Sequence, residues 1–482
     1  MTPETAQVLL SGSIAAIQTL IQTRRCTVVE LTQWYLSRIE AFNKAGPRLN
    51  AVRVVSTHAL EDARRADEAL GAGRKLGVLH GIPVLIKDNV FIAHEYPAPA
   101  GASALLGFVP RTTATLVNSL TGAGAIVLGK TNLTELADYV ADVMPAEFSS
   151  AGGVVKNPHG ITYGRGQGSS VGSACAVAAA FAPVAVGGET QNSIQTPANF
   201  SSVVGLKPSV GMVSRAGIIP LVPSQDAPGV LTRCVEDAAL LFELLAQADA
   251  NDPVSVLMRR DDRSGIGLHD LSGIRIGVPR RAMALRPEFA EVLPLFDAAL
   301  SRLIGAGAAL VDPCDLPSAE QLQEVRSCVF RTEFKASLDA FLEAHEAPGG
   351  IGSLADLVHW NTEHPELIPY GQSLLLAALE TRGLNDPQYR LDRLRDIALS
   401  RNGGIDAALL AGNVDVLIAP MGAAAKCTGK AGAPTLAIPV GATPAGVPFG
   451  ITLYTSLGKD RLLLAVGRLV ERAIGKRRIP RL

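Results

Sequence analysis

The 482 residues carry 44 Lys+Arg against 45 Asp+Glu, a net charge of -1, with 48% hydrophobic and 18% charged residues. Such a chain is long enough to bury a large core. Its balanced charge offers neither the basic face or tail that nucleic acid requires nor an acidic block for a basic partner. Six scattered cysteines lack C-x-x-C spacing, and eight histidines contain no H-E-x-x-H and no ligand cluster. No zinc site and no disulfide framework is therefore expected, and reduced thiols in the cytoplasm are the default.

In chain order, the N-terminus carries Glu4 and no early basic residue, so it does not read as a signal peptide. Thr27-Val28-Val29-Glu30 has capping-box spacing, and Leu31, Tyr35, Leu36 and Ile39 follow at helical intervals, which predicts an amphipathic helix. Ile82 to Ile86 is an apolar, β-rich run ending at Lys87-Asp88-Asn89. A charged residue straight after a buried strand sits either at a surface edge or in a site, and spacing alone favours the edge. Ala125 to Leu128 reads as another buried strand. Residues 164–173 form a Gly/Ser-rich loop. The small-apolar run Ala174 to Val186 is too short to span a bilayer and contains Pro183, so no membrane partner is expected and the run is read as a buried helix. Its end, Pro183 to Val186, also looks like a strand leading into the polar loop Glu189-Thr190-Gln191-Asn192-Ser193. From about 285 to 400 charged amphipathic helices dominate, such as Phe330 to Leu342 and Gln388 to Leu399. Strand-like runs return at Val414 to Ala419, Pro434 to Val440 and Phe449 to Tyr454. Strands alternating with helices argue for an α/β sheet covered on both faces.

Two motif matches fail on their context. Gly124 to Thr131 satisfies G-x-x-x-x-G-K-[ST], but its middle residues are a β-rich apolar run whose amides belong in a sheet ladder and are not free to wrap phosphate. Gly168-Ser169-Ser170-Val171-Gly172 satisfies G-x-S-x-G, but the nucleophile elbow needs a strand directly before the turn and a histidine late in the chain. Here the preceding Asn157 to Gly160 is turn-like and the last histidine is His364.

A longer, ordered series of motifs resembles the amidase signature family. Leu79 to Asn89 is similar to its catalytic-lysine strand, and Gly122 to Leu133 to the strand and turn that follow. Gly168 to Ser173 is similar to its Gly-Ser-Ser-Gly-Gly-Ser loop, and Thr190 to Pro197 to its nucleophile loop, followed by Val204 to Pro208. Ser224 to Gly229 and Ala433 to Gly441 have counterparts as well. The resemblance implies one amidase signature domain over 1–482, with a large mixed, mostly parallel sheet covered by helices on both faces. Its parts are an N-terminal helical region (about 1–75), a catalytic core (about 76–245), a helical insertion (about 285–400) and a completing segment (about 405–482). It further implies Lys87 as base, Ser169 as the cis-peptide serine that relays the proton and Ser193 as nucleophile. Gly168 and Ser170 would support the loop, and backbone amides around Thr190, Gln191, Asn192 and Ser193 would form the oxyanion hole. A serine hydroxyl needs a neighbouring base, and a lysine serves only if burial makes it neutral. No metal or cofactor is required by that chemistry.

The sequence departs from the family pattern in three places. Gln191-Asn192 replaces Gly-Gly before the nucleophile, and glutamine tolerates a left-handed backbone poorly. Val171 replaces a glycine. Gln195 and Thr196 stand where many relatives carry an arginine that in some holds an anionic substrate, so a neutral amide is expected. The helical block resembles the peptide amidase branch at Thr332 to Ala336, Ser353 to Leu357 and Gly404 to Ala408. The connection between Pro420-Met421-Gly422 and Ala433-Pro434 looks shorter than in that branch, which would suit an aryl or otherwise bulky acyl group and an aryl-acylamidase or carbamate-cleaving hydrolase. The substrate expected is a small-molecule or peptide amide, and a homodimer is compatible with the sequence. Two other classes remain: the amidase subunit of a tRNA-dependent amidotransferase, disfavoured by the lack of a basic surface, and a non-catalytic binding protein, raised by Gln191-Asn192.

Overall fold

The computed structural model describes residues 1–74, 77–258, 265 and 267–482. The strand order in space is Val52–Val55, Ile126–Thr131, Pro83–Lys87, Val184–Glu189, Ala227–Thr232, Val204–Lys207, Thr435–Ala442, Pro448–Tyr454, Val416–Pro420, Arg275–Gly277 and Ala309–Val311. These eleven strands make one mixed sheet flanked by helices. Of its ten neighbour pairings four are parallel, in two blocks, and six are antiparallel. Parallel pairs are thus fewer than strand–helix alternation leads one to expect. Part of the reason is local: a short turn closed by Thr443 and Val447 joins two long strands directly, and a tight turn can connect only antiparallel neighbours.

The capping box at the first long amphipathic helix forms as its spacing predicts. Thr27 Oγ1 accepts from Glu30 N at 3.0 Å and Glu30 Oε2 accepts from Thr27 N at 2.9 Å. The helix is Val28–Ile39, with Leu31, Tyr35 and Ile39 in the core and Leu36 half-buried. Between the strands Ala309–Val311 and Val416–Pro420 the chain is helical, including Val329–His345 and Pro387–Ile397.

The run from Ala174 to Val186 is not one helix. The helix spans Val171–Ala178, Ala180 turns left-handed at φ 53°, and a strand starts at Val184. All eight helical residues are buried, which their small side chains permit. A Cβ at Gly172 would lie 2.2 Å from the carbonyl oxygen of Asn132, so the helix start needs glycine to seat against the sheet. Within Gly124–Thr131, Ile126–Thr131 is a sheet strand paired with Pro83–Lys87 on one side, and its Gly129–Thr131 end pairs with Val52–Val55 on the other, as the rejection of a phosphate loop requires.

Register brings the site together. Val84 pairs with Val184 and Leu85 with Ala185 in parallel, so Lys87 ends its strand beside Gly187 and Gly188. Glu189 pairs with Ala227 in the antiparallel neighbour, which sets Asp226 at the same edge. The carboxyl ends of parallel strands are the usual place for a site in an open α/β sheet.

Candidate active site

Lys87 is only 1% exposed, so the surface-edge reading of its position is overturned. It is the last residue of a strand buried along its whole length, and the Gly168–Ser170 loop covers it. Its Nζ lies 2.8 Å from Ser169 Oγ and 3.1 Å from the Gly188 carbonyl oxygen. Burial lowers its pKa to about 7, against the opposing fields of Asp226, Glu189 and Asp138. A charged ammonium loses its hydration in such a place, and among the described residues no carboxylate forms an ion pair with it to compensate. A neutral amine donating one N–H to Gly188 retains a lone pair for the Ser169 proton.

Two other lysines share the burial but not the surroundings. Lys130, also lowered to about 7 by burial, donates to the carbonyls of Asp88 and Val90. Lys207, lowered to about 8, donates to those of Thr428 and Ala433. Both fasten backbone segments. Lys87 differs in meeting a hydroxyl and in lining a cavity.

The Gly168–Ser169 peptide bond is cis. Gly168 N donates to Asp138 Oδ2 at 3.3 Å, and a Cβ there would meet Thr134 Oγ1 at 2.1 Å. Ser169 and Ser170 are fully buried. Ser170 precedes the helix Val171–Ala178; its Oγ donates to Gly188 O at 3.1 Å and accepts from Gly188 N at 3.2 Å, while its own N–H donates to Ser193 O at 3.0 Å. Ser170 therefore stitches the two serine loops together.

Ser193 lines the same cavity as Lys87, a space of about 230 Å³ walled by Val90, Ile218, Ile219 and Leu221. Among the described residues no hydrogen bond links the Ser193 and Ser169 hydroxyls; the two loops are joined by Ser170 N to Ser193 O, by Ser170 Oγ to Gly188 and by Asn192 Nδ2 to the Gly166 carbonyl. The preceding loop is held from three sides. Thr190 Oγ1 donates to Asp226 Oδ1 at 2.6 Å, Gln191 Nε2 to Gln225 Oε1 at 3.1 Å, and Asn192 Nδ2 to the Gly166 carbonyl. Neither Gln191 nor Asn192 adopts a positive φ, so the departure from Gly-Gly carries no backbone conflict.

Several participants were not singled out by residue pattern. Glu189 is buried with one oxygen accepting from Ile194 N at 2.6 Å and Gln195 N at 2.8 Å, and the other from Gln195 Nε2 at 2.7 Å. Burial raises its pKa, opposed by Lys207 and these donors. Replacing Glu189 by alanine leaves the buried Ile194 and Gln195 backbone N–H groups unpaired, each costing about 1–3 kcal/mol, while Gln195 Nε2 keeps its bond to the Gln191 carbonyl; denaturant unfolding should show a loss of several kcal/mol. Asp226 anchors Thr190 and also accepts from Leu221 N and Val222 N at 2.8 and 2.9 Å. Its Ser-Gln-Asp-Ala-Pro-Gly setting was the available signal. Gly429 gave none: a Cβ there would lie 2.8 Å from Gln191 Cα and 2.8 Å from the Thr190 oxygen.

Among the described residues, no group of three or more His, Cys, Asp or Glu could hold a metal ion, and no helix is long and apolar enough to cross a membrane. The Amidase family matches residues 30–464. A probable amidase from Arabidopsis thaliana is 31% identical over 486 residues, covering 98% of this chain and 91% of its own. The native peptide amidase of Stenotrophomonas maltophilia superposes with a TM-score of 0.89 at 37% identity, over 97% of this chain and 98% of its own. An amidase family protein of Bacillus anthracis does so with a TM-score of 0.89 at 30% identity, over 100% and 95%. A match across nearly the whole length, in sequence and in fold, places the chain in the amidase signature family of amide-hydrolysing enzymes.

Proposed function

We propose that the protein hydrolyses a linear carboxamide, a peptide amide or a small-molecule amide, through a covalent acyl-Ser193 intermediate. The observation that carries this reading is the 2.8 Å approach of Lys87 Nζ to Ser169 Oγ in a buried site, with Ser193 on the wall of the same cavity. Ser193 Oγ attacks the carbonyl carbon while its proton passes to Ser169 Oγ, and the Ser169 proton passes to neutral Lys87. The Ser–Lys pair thereby does the work that histidine does in the commoner triad. Negative charge developing on the carbonyl oxygen falls beside the backbone amides of the Thr190–Ser193 loop. The Lys87 ammonium then returns a proton through Ser169 to the departing nitrogen. Water, activated by the same pair, cleaves the ester and frees Ser193.

The likeness to peptide amidases supports a C-terminal peptide amide as substrate, and the apolar walls of the cavity suit an uncharged group beside the scissile bond. Treatment with a fluorophosphonate followed by peptide mapping should place the adduct on Ser193. Labelling elsewhere, or none, overturns the assignment and favours a non-catalytic scaffold. Parallel assays of a peptide amide, an anilide and a carbamate read the substrate class; turnover of the last two alone would replace peptide amide by aryl-acyl chemistry.

A further test addresses the loop geometry. Gly429→Ala pushes on Thr190 and Gln191 and should displace an oxyanion donor, lowering kcat by about 10²–10³-fold with little change in KM. An unchanged kcat would show that this loop does not set the barrier.

A further inference from the structure

The Ser193 loop borders two spaces, the apolar cavity and a wide cleft of about 760 Å³ lined by Thr190, Gln191, Asn192 and Ser193. Its wall carries Arg286, Arg326, Arg331, Lys426 and Lys430, and among its described lining residues Asp138 is the single acid. This is a local concentration in a chain of net charge -1, assembled from three segments that are remote in sequence.

Protein carboxylates neutralise only part of it. Lys430 pairs with Asp396 at 2.6 Å and Arg286 with Glu288 at 2.6 Å. Lys426 Nζ donates to the Gln323 carbonyl at 2.8 Å. Arg326 and Arg331, both exposed, have no ion-pair partner among the described residues. Asp138 accepts from Gly168 N, and burial raises its pKa to about 7, so it opposes these cations weakly. Lys426 in turn is lowered by burial and by the neighbouring Lys430, Arg326 and Arg286. Tyr139 and Phe330 stand in the same cleft with ring centroids 4.8 Å apart, offering an apolar platform between the cations and the nucleophile loop.

We propose that this cleft binds a carboxylate carried by the acyl portion of the amide substrate, several bonds from the scissile carbonyl, with Arg326 and Arg331 as the specificity-determining residues. The proposal rests on Ser193 acting as the nucleophile. It also reconciles the missing arginine after the nucleophile with an anionic substrate. Gln195 and Thr196 leave the scissile bond without a fixed cation, and an anion there would oppose the charge developing on the carbonyl oxygen. A carboxylate held farther out escapes that repulsion, and the planar guanidinium fork matches it in geometry and charge. Exposed pairs are screened by salt, so the preference should be moderate and ionic-strength dependent.

N-succinyl-phenylalaninamide and its succinyl methyl ester differ in this charge and in one small methyl group. The full-length enzyme should show about tenfold lower KM for the free acid with similar kcat, a preference that shrinks as salt is raised. Arg326→Gln with Arg331→Gln should raise the KM of the acid to that of the ester, whereas the paired lysine replacements should restore most of the preference. Calorimetry of both ligands on Ser193→Ala reads the cleft without turnover. Equal binding of acid and ester there, or a preference that survives the paired glutamine replacements, overturns the proposal. Preferential binding of the acid without hydrolysis by the unmodified enzyme would sustain the cleft and sink the amidase reading instead.

Discussion

Ser193→Ala should lower kcat by about 10⁴-fold or more while leaving ligand affinity and the melting temperature nearly unchanged. Removal of the nucleophile of a concerted unit abolishes the covalent route at once, because Ser169 is fully buried and its hydroxyl is committed to Lys87. The substitution deletes one oxygen from a side chain whose hydroxyl forms no hydrogen bond among the described residues, so little structural cost is expected. The backbone bond from Ser170 N to Ser193 O is retained. Quenched-flow kinetics with mass detection gives the decisive measurement: the acyl-enzyme should form on the unmodified protein and vanish in the variant. Turnover within tenfold of the unmodified enzyme would remove Ser193 from the mechanism.

The second large effect belongs to Lys87. In the proposed mechanism the reaction needs the neutral amine, and burial lowers the pKa from 10.5 to about 7, so kcat/KM should climb with pH through a midpoint near 7 and level off above it. Lys87→Met should reduce kcat by about 10³–10⁴-fold and flatten this limb. Lys87→Arg should be as inactive, since a guanidinium stays protonated throughout the range. Stability supplies an independent sign. A base whose pKa is lower folded than unfolded binds fewer protons in the native state between about pH 7 and 10.5. Stability therefore rises with pH across that window, and the burial cost is fully present below it. Lys87→Met removes the cost and should melt at a higher temperature than the unmodified enzyme at pH 7, the gain fading toward pH 10.5. A rate limb unmoved by Lys87→Met would assign the titration to another group.

Local pattern read well where the physics is local. The capping box at Thr27 and Glu30, the apolar runs ending at Lys87 and Glu189, and the ordered Gly/Ser loops were legible because periodicity and turn chemistry act over a few residues. The failures share a cause. The surface-edge reading of Lys87 depended on what covers the strand end, and the cover comes from a loop 82 positions away. The run from Ala174 to Val186 invited a buried-helix reading, and only its end, Pro183 to Val186, read as the strand it is, because small apolar residues suit a buried helix and a buried strand alike.

The sequence by itself determined the family, the order of the site-bearing loops and the candidate nucleophile, since those are carried by short segments whose residue types are constrained by chemistry. Only the tertiary structure decided that Lys87 sits buried against Ser169, that Gly429 braces the loop before Ser193, and that Arg286, Arg326, Arg331 and Lys426 converge on one cleft. Burial and electrostatic field are sums over neighbours in space, and here those neighbours lie tens to hundreds of residues apart along the chain.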